Sequence, residues 1–395
     1  MPMVKNTPRK PTVRPKFTTG FSCGPTAKFP GWKLEMLKGA LVGRSHRAAP
    51  ARAKIKQVGQ ELKAMLGLPA DYVIGMMSGS DTGAVEAILW NVLGERPVDV
   101  FGWEAFGNDW VTDVVTQLKC EHRAFTGKYG ELPPLHEANK THDIVFTWNG
   151  TAAGVKVPDG ADWIADDREG LTICDATSAI FGMPLPWDKL DVVTFSWQKV
   201  LGGEPQHGML VLSPRAIRRI KNYTPVWPIP KLFRLKDKGI FMAGIFDDTP
   251  INTPSMLCIE DILVCLELGR GLGGQEGLIA RSRESYAHLK RWVDKTDWLD
   301  FLPADDAVRS TTSPCLKITD PQFLTMDEAG QRLFCKAIVD MLEAEGVGFD
   351  FNGYKDAPPG LRIWCGPTVE PDDVDVLTVW IDWAYAQVHA RTFPR

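Results

Sequence analysis

The sequence predicts an α/β fold built on a mainly parallel sheet, and three observations support this class. Short apolar runs, each closed by turn-forming residues, recur along the chain from about residue 60 onward. Helical stretches separate these runs, an alternation typical of parallel strands that are covered by helices on both faces. The chain has 395 residues, of which 44% are hydrophobic. This is enough for two domains or one large α/β domain.

One helix and five strands are predicted in the first 215 residues. In "AVEAILWNVLG" the apolar residues recur with the 3.6-residue period of one helix face, at Val85, Ile88, Leu89, Val92 and Leu93. The predicted strands are "VDVFGW" (98–103), "DIVFTW" (143–148), "LTIC" (171–174), "DVVTFSW" (191–197) and "GMLVLS" (208–213). Helical patterns then dominate residues 255–296.

A second, smaller unit is predicted to start near residues 275–290. Its apolar periodicity indicates helices at 276–294, 326–346 and 373–390, with strand-like "CLKI" (315–318) and "LRIWC" (361–365) between them. The predicted division of the chain is therefore an N-terminal arm at 1–20, a large domain at 21–275 and a small C-terminal α/β domain at 276–395.

Composition and charge favour a cytoplasmic protein that binds neither membranes nor nucleic acid. The formal net charge is −4, which does not favour polyanions. No apolar run approaches the roughly 18 residues that span a bilayer, and no signal-peptide pattern opens the chain. The arm carries five basic residues and no acidic one. We predict that the arm is flexible or lies on a partner protein. The alternative is that its basic residues contact nucleic acid.

The eight cysteines are scattered and form no CxxC pair. Most of them stand in apolar runs, where a cysteine usually acts as a small buried hydrophobic residue. We therefore predict reduced, buried thiols and no metal site.

Three polar residues follow predicted strands, where parallel sheets bind ligands. Lys199 follows 191–197, Asp175 follows 171–174 and Thr151 follows 143–148. A lysine is most often a surface residue and an aspartate a turn residue, but their joint placement favours a site. Burial lowers the pKa of a lysine, whose neutral amine then forms Schiff bases. An aspartate nearby can pair with a protonated pyridine, so the pair fits pyridoxal phosphate.

A candidate phosphate site precedes the predicted helix. In "MMSGSDTGAVEAILW", Ser80, Asp81 and Thr82 stand where free N–H groups and the helix dipole attract an anion. The Asp81 carboxylate would repel a phosphate. We therefore interpret Asp81 as an N-cap that points away from the anion.

Several blocks of the sequence, in collinear order, resemble the phosphoserine aminotransferase family, a class V group of fold-type I pyridoxal-phosphate enzymes. The blocks are "FSCGPT" (21–26), "SHR" (45–47), "SGSDTGAVE" (78–86), "NGTAAG" (149–154), "CDATSA" (174–179) and "SWQKVLGG" (196–203). The resemblance implies a large domain, whose mainly parallel seven-stranded sheet is sandwiched by helices, and a smaller C-terminal α/β domain.

The resemblance also implies roles at the cofactor. Lys199 would carry pyridoxal 5'-phosphate as a covalent aldimine, Asp175 would hold the ring N–H, and Thr151 would bond the ring hydroxyl. The phosphate would be held by Ser80, Asp81, Thr82 and Gln198, and by Asn252 and Thr253 of the second subunit in a homodimer with shared active sites. Trp110, which an amphipathic helix is predicted to follow directly, would stack on the ring; Trp103 is the alternative.

For substrates, the resemblance implies His46, Arg47 and Arg362. Many family members carry a His-Arg pair before the last of these arginines, whereas this chain reads "NGYKDAPPGLR". Lys355 and Arg44 are the candidate replacements. The implied reaction is amino transfer from glutamate to 3-phosphohydroxypyruvate, giving O-phosphoserine for serine biosynthesis. The alternatives are another class V aminotransferase, such as the alanine–glyoxylate type, and a non-catalytic protein that binds nucleic acid through its arm.

Overall fold

In the computed structural model, which describes residues 8–16 and 20–394, the strands form one seven-stranded sheet, one three-stranded sheet and two short pairs. The strands are β1 Val73–Ser78, β2 Val98–Gly102, β3 His122–Thr126, β4 Asp143–Thr147, β5 Asn149–Gly150, β6 Val155–Lys156, β7 Thr172–Asp175, β8 Val192–Ser196, β9 His207–Leu212, β10 Lys236–Asp237, β11 Ile240–Phe241, β12 Leu299–Phe301, β13 Cys315–Ile318 and β14 Gly360–Arg362.

The large sheet has the order β1-β9-β8-β7-β4-β2-β3. Strand β9 is antiparallel to both of its neighbours, and every other pair is parallel. The predicted mainly parallel sheet is thus confirmed. The five strands predicted from apolar runs are β2, β4, β7, β8 and β9. The two additional strands, β1 and β3, lie at the two edges, and β3 is mostly exposed, so its sequence shows no apolar run.

Eight α-helices cover the sheets in the described part of the chain. They are α1 Ala49–Met65, α2 Ser80–Val92, α3 Ala105–Thr112, α4 Pro214–Asn222, α5 Met256–Gly271, α6 Gly274–Val293, α7 Glu328–Ala344 and α8 Pro371–Thr392. The predicted apolar face of α2 is buried. The helical region predicted at 255–296 is divided into α5 and α6. Gly273 (φ 99°) and Gly274 (φ 62°) allow this break, because their left-handed backbone favours glycine.

The C-terminal unit consists of the antiparallel sheet β12-β13-β14 with α6 and α7 packed against α8. Of the predicted arm, residues 8–16 lie along this unit: Lys10 Nζ is 2.6 Å from Glu345 Oε1, and the Trp380 indole donates to the Val13 carbonyl at 2.7 Å. Residues 1–7 and 17–19, the rest of the arm, lie outside the described residues. The predicted boundary at 275–276 stays a prediction, which the break between α5 and α6 supports.

Two apolar clusters form the core, and one of them continues from the large sheet into the C-terminal unit, where it includes Leu316, Ile338 and Trp380. All eight cysteines are free thiols, and all except Cys258 are buried. Within residues 8–16 and 20–394, no helix has the length and apolar character to cross a membrane. The same residues contain no group of three or more His, Cys, Asp or Glu side chains that could hold a metal ion.

Candidate active site

A cavity of about 290 Å³ opens where three adjacent strands of the large sheet end. Thr151 follows β4, Asp175 ends β7 and Lys199 follows β8, so the sheet order brings the three predicted residues to one edge. The cavity is lined by Gly24, Pro25, Ser80, Asp81, Thr82, Glu104, Phe106, Trp110, Thr147, Asn149, Thr151, Asp175, Thr177, Ser178, Ser196, Gln198, Lys199 and Pro205.

The amine of Lys199 is held at the cavity wall by the N-terminal loop. Its Nζ donates to the carbonyl of Cys23, and Gly24 leaves room for it: a Cβ on Gly24 would lie 2.2 Å from Nζ. Burial, together with the charge of Arg362, lowers the pKa of Lys199 from 10.5 to about 8. A large fraction of this amine is therefore neutral, and nucleophilic, near physiological pH.

We expect Lys199 of the cofactor-free protein to react with small aldehydes with a midpoint near pH 8, because only the neutral amine attacks a carbonyl. Reductive methylation at a series of pH values, followed by mass spectrometry of the Lys199 peptide, measures this midpoint. In the urea-unfolded chain the same lysine should show a midpoint near the ordinary value of about 10.4.

The matched variant for this measurement is Arg362→Leu, which removes the like charge that acts on the amine. Its midpoint should lie above that of the native chain, because ammonium is then less disfavoured. Equal midpoints for the folded and unfolded chains would contradict the assignment of Lys199 as a low-pKa amine.

Asp175 is held rigidly by two donors at the floor of the cavity. Its Oδ2 accepts from the Trp110 indole at 3.1 Å, and its Oδ1 accepts from the backbone N–H of Thr177 at 2.9 Å. The side chain is 8% exposed. Both bonds stabilise the ionised carboxylate and fix its plane.

The Thr151 hydroxyl belongs to a buried polar network that joins the two units of the chain. It donates to Ser178 Oγ at 2.7 Å, and Asn149 Nδ2 donates to the same oxygen at 2.8 Å. From the C-terminal unit, Thr312 Oγ1 donates to the Ser178 carbonyl at 2.7 Å. Contacts made by Thr151 are thus tied to the packing between the units.

Helix α2 begins at the cavity with the geometry of an anion site. Gly79 is its N-cap, with a left-handed φ of 88°, and no side chain caps the first N–H groups. Gly83 allows this tight turn, because a Cβ there would lie 1.8 Å from the Ser78 carbonyl oxygen. Gln198 Nε2 donates to Ser80 Oγ at 2.9 Å. The free N–H groups and the helix dipole favour an anion here.

The interpretation of Asp81 as an N-cap is wrong. Gly79 occupies the cap position, and Asp81 stands in the first turn of α2 with a buried carboxyl group. Its side chain lies by Asp175 rather than on the helix N–H groups. The reason is the left-handed backbone of Gly79 and Ser80 (φ 57°), which turns the chain into the helix one residue earlier than expected.

Trp110 lines the cavity, whereas Trp103 does not. Trp103 is buried and donates to the Val155 carbonyl at 3.2 Å. The helix predicted to start directly after Trp110 in fact begins at Ala105, so that prediction is wrong. The cause is Glu104, whose carboxylate caps α3 by accepting from Gly107 N at 2.8 Å.

The remaining predicted residues do not line this cavity. Arg362 is near enough to Lys199 to affect its pKa, and its guanidinium stands 5.7 Å from the Tyr354 ring. The others are His46, which is buried, and the exposed Arg47, Asn252 and Thr253. The candidate replacements for the missing His-Arg pair are also exposed: Arg44, and Lys355 with a side chain 77% exposed.

Sequence reasoning missed several residues of the cavity, Glu104 and Phe106 above all. Glu104 is buried, accepts from Ala152 N at 3.2 Å as well as from Gly107, and has a pKa that burial raises to about 7. The Phe106 ring lies 5.9 Å from Lys199 Nζ. Both residues follow β2, so the rule that ligands bind beyond strand ends was the available signal.

The polar atoms of the cavity fit a polar ligand with several hydrogen-bonding groups. Six residues of the cavity have buried oxygens that form no hydrogen bond with any described residue: Asp81, Thr147, Asn149, Thr177, Ser196 and Gln198. Buried polar groups are normally satisfied. Besides these atoms, the α2 N-terminus suits a phosphate, Asp175 suits a protonated ring nitrogen and Lys199 suits an aldehyde. The residues therefore fit pyridoxal phosphate.

Comparison with known proteins gives a relative that matches almost the whole chain. The phosphoserine aminotransferase of Methanosarcina mazei is 50% identical over 377 residues, covering 95% of this chain and 99% of the relative. No family model matches the chain.

Solved structures share the fold at much lower identity. The phosphoserine aminotransferase of Bacillus circulans subsp. alkalophilus superposes with a TM-score of 0.76 at 18% identity, covering 94% of this chain and 99% of that one. The alanine–glyoxylate aminotransferase of Nostoc sp. gives a TM-score of 0.74 at 17% identity, covering 97% and 100%. The fold alone therefore does not separate these two activities.

Proposed function

The chain belongs to the phosphoserine aminotransferase family, and from this membership we propose that it transfers the amino group of glutamate to 3-phosphohydroxypyruvate. The products are 2-oxoglutarate and O-phosphoserine, a precursor of serine. The observation that carries the proposal is the convergence of Lys199, Asp175 and the α2 N-terminus on one cavity. This is the residue set that a pyridoxal-phosphate aminotransferase requires.

The cofactor of this family is pyridoxal phosphate, which when bound supplies an electron-accepting ring for negative charge at the substrate Cα. In the proposed arrangement Lys199 would hold the cofactor covalently, Asp175 would pair with its ring nitrogen and Thr151 would bond its hydroxyl. Trp110 would contact the ring. Ser80, the backbone N–H of Asp81, Thr82 and Gln198 would hold the phosphate at the α2 N-terminus.

Lys199 performs the proton transfers of the reaction. Its Nζ would remove the Cα proton of glutamate and would later return a proton on the path to product. The lowered pKa of Lys199 suits this role, because far more of the amine is neutral and able to accept a proton than in an ordinary lysine. The Cys23 carbonyl gives the freed amine a defined resting position next to Gly24.

Arg362 is the proposed site for the substrate α-carboxylate. Its Nε is buried and has no hydrogen-bond partner in the part of the chain that the structure describes, and an incoming carboxylate would provide one. The planar guanidinium suits two parallel bonds to a carboxylate. His46 and Arg47 are the proposed second anion-binding pair.

We propose a homodimer in which each active site is completed by the partner. Asn252 and Thr253 are exposed and do not line the cavity of their own chain, which suits a contribution to a partner's phosphate site. Sedimentation of the cofactor-loaded protein as a monomer would contradict this. Localisation in the cytoplasm stays a prediction.

Two measurements on the cofactor-loaded protein test the function. Borohydride should abolish the absorbance of the bound cofactor and label Lys199, as located by mass spectrometry. In an acceptor series with glutamate as donor, 3-phosphohydroxypyruvate should exceed glyoxylate and pyruvate in kcat/KM by about 100-fold or more, because the two smaller acids lack the phosphate that the second anion-binding pair would bind. A preference for glyoxylate would instead support the alanine–glyoxylate type. The absence of any bound cofactor would contradict both aminotransferase activities.

A further inference from the structure

Asp81 is an anomaly in a site that must bind a phosphate. It stands in the first turn of α2, it lines the cavity, and it is only 7% exposed. Both carboxyl oxygens are fully buried, and neither accepts a hydrogen bond from a donor of residues 8–16 or 20–394. No cation compensates it in the described part of the chain, since none forms an ion pair with it.

The groups around Asp81 are acidic or neutral. Asp175, at the end of β7, is the charged group that affects the pKa of Asp81 most, and the side chains of Thr177 and Thr194 are near enough to affect it as well. The thiol of Cys174 is also near enough to be affected by its charge. Asp175 itself already accepts from Trp110 and from Thr177 N.

An ionised Asp81 is therefore unfavourable for two reasons. A buried carboxylate without a partner costs several kcal/mol, and such groups take up a proton instead. Two carboxylates that share a buried site also do not both ionise. Burial first, and then Asp175, raise the pKa of Asp81 well above its ordinary value. Two N–H donors are directed at Asp175, whereas the described residues direct none at Asp81, so Asp81 is the member of the pair that takes up a proton.

We propose, on the premise of the proposed function, that Asp81 is a neutral carboxylic acid that donates a hydrogen bond to Asp175 and acts as a positioning residue for it. The bond stabilises Asp175 as the anion that faces the cofactor's ring nitrogen. Because Asp81 is uncharged, it does not repel the phosphate at the α2 N-terminus. One protonated side chain thus serves both ends of the cofactor site.

Infrared difference spectroscopy of the cofactor-free protein tests the protonation state directly. Native protein minus Asp81→Asn should show a carboxylic-acid C=O band at pH 8 that shifts in D₂O. Glu104→Gln is the control: the pKa of Glu104 is about 7, so its own contribution is small at pH 8 and the Asp81 band should remain in this variant. A difference spectrum without the acid band overturns the proposal.

Cofactor affinity tests the positioning role, with pyridoxal 5'-phosphate itself as the probe. Asp81→Asn keeps a neutral N–H donor and should bind within about threefold of the native protein. Asp81→Leu removes the donor and should bind about 10–100-fold more weakly, the range for a hydrogen bond to a charged group. In the Leu variant the ¹⁵N shift of ring-labelled cofactor should also move towards that of an unprotonated ring.

The two variants separate the possible outcomes. Tighter binding by Asp81→Asn, or equal losses in both variants, would show that Asp81 acts as a charge or only as a packing group, and either result overturns the proposal. If Asp81→Leu does not fold, the Asn variant and the infrared band still decide. A native protein that binds no pyridoxal phosphate would instead remove the proposed function, while the infrared result would stand on its own.

Discussion

Replacing Lys199 by alanine is expected to lower the rate of transamination by on the order of 10⁴-fold or more, because nucleophile and proton carrier are lost together. The substitution removes the only lysine among the residues that line the cavity. Single-turnover kinetics with glutamate and cofactor-loaded protein give the rate, and absorbance gives cofactor occupancy. The variant should still bind the cofactor through the α2 N-terminus and Asp175. Borohydride should then leave no cofactor covalently attached to the protein.

The control for Lys199→Ala is chemical rescue. Removal of the Lys199 side chain leaves a space beside Gly24 and the Cys23 carbonyl. A small primary amine such as methylamine fits into a space of this kind. Added amine should restore part of the proton transfer in Lys199→Ala. It would restore no activity if the variant were inactive because it is misfolded. Turnover within tenfold of the native rate, without added amine, would eliminate Lys199 as the catalytic residue.

The residues at the centre of the site could be predicted because they follow from sheet topology. Thr151, Asp175 and Lys199 each come directly at or after an apolar run, and buried parallel strands are the elements that apolar runs identify best. Strands β4, β7 and β8 are neighbours in the sheet. The ends of these three neighbouring strands therefore line one cavity, and strand order is the only long-range information that this prediction requires.

The residues that were missed or misread depend on local backbone geometry or on partners distant in sequence. Glutamate is an uncommon N-cap, so nothing in the sequence indicated that Glu104 starts α3 ahead of Trp110. The interaction of Asp81 with Asp175 joins residues 94 positions apart, on different elements. Strand β3 lies at a sheet edge, where its exposed side chains need no apolar pattern. Asn252 and Thr253 are exposed and do not line the cavity of their own chain, so their predicted role depends on a second chain.

Asparagine in place of Asp175 is expected to lower kcat by about 10²–10³-fold, the cost of removing one preorganised electrostatic group from a transition state. In the proposed site the carboxylate supplies the negative charge that would keep a ring nitrogen protonated, and the amide cannot supply it. The amide also leaves one bond unmade, because its NH₂ group must face either the Trp110 indole or Thr177 N, both of which are donors. Steady-state kinetics at saturating glutamate measure the loss.

Trp110→Phe separates the charge of Asp175 from its hydrogen bond. It removes the N–H that donates to Oδ2 but keeps the carboxylate and an aromatic ring, so kcat should fall by only about tenfold, as for one hydrogen bond to a charged group. A second comparison uses N-methylated pyridoxal phosphate, whose ring charge is permanent. Asp175→Asn loaded with this analogue should recover activity relative to the ordinary cofactor, whereas Trp110→Phe should not. If Asp175→Asn and Trp110→Phe lose the same activity and the analogue restores neither, Asp175 acts by geometry alone and not by holding a positive ring nitrogen in place.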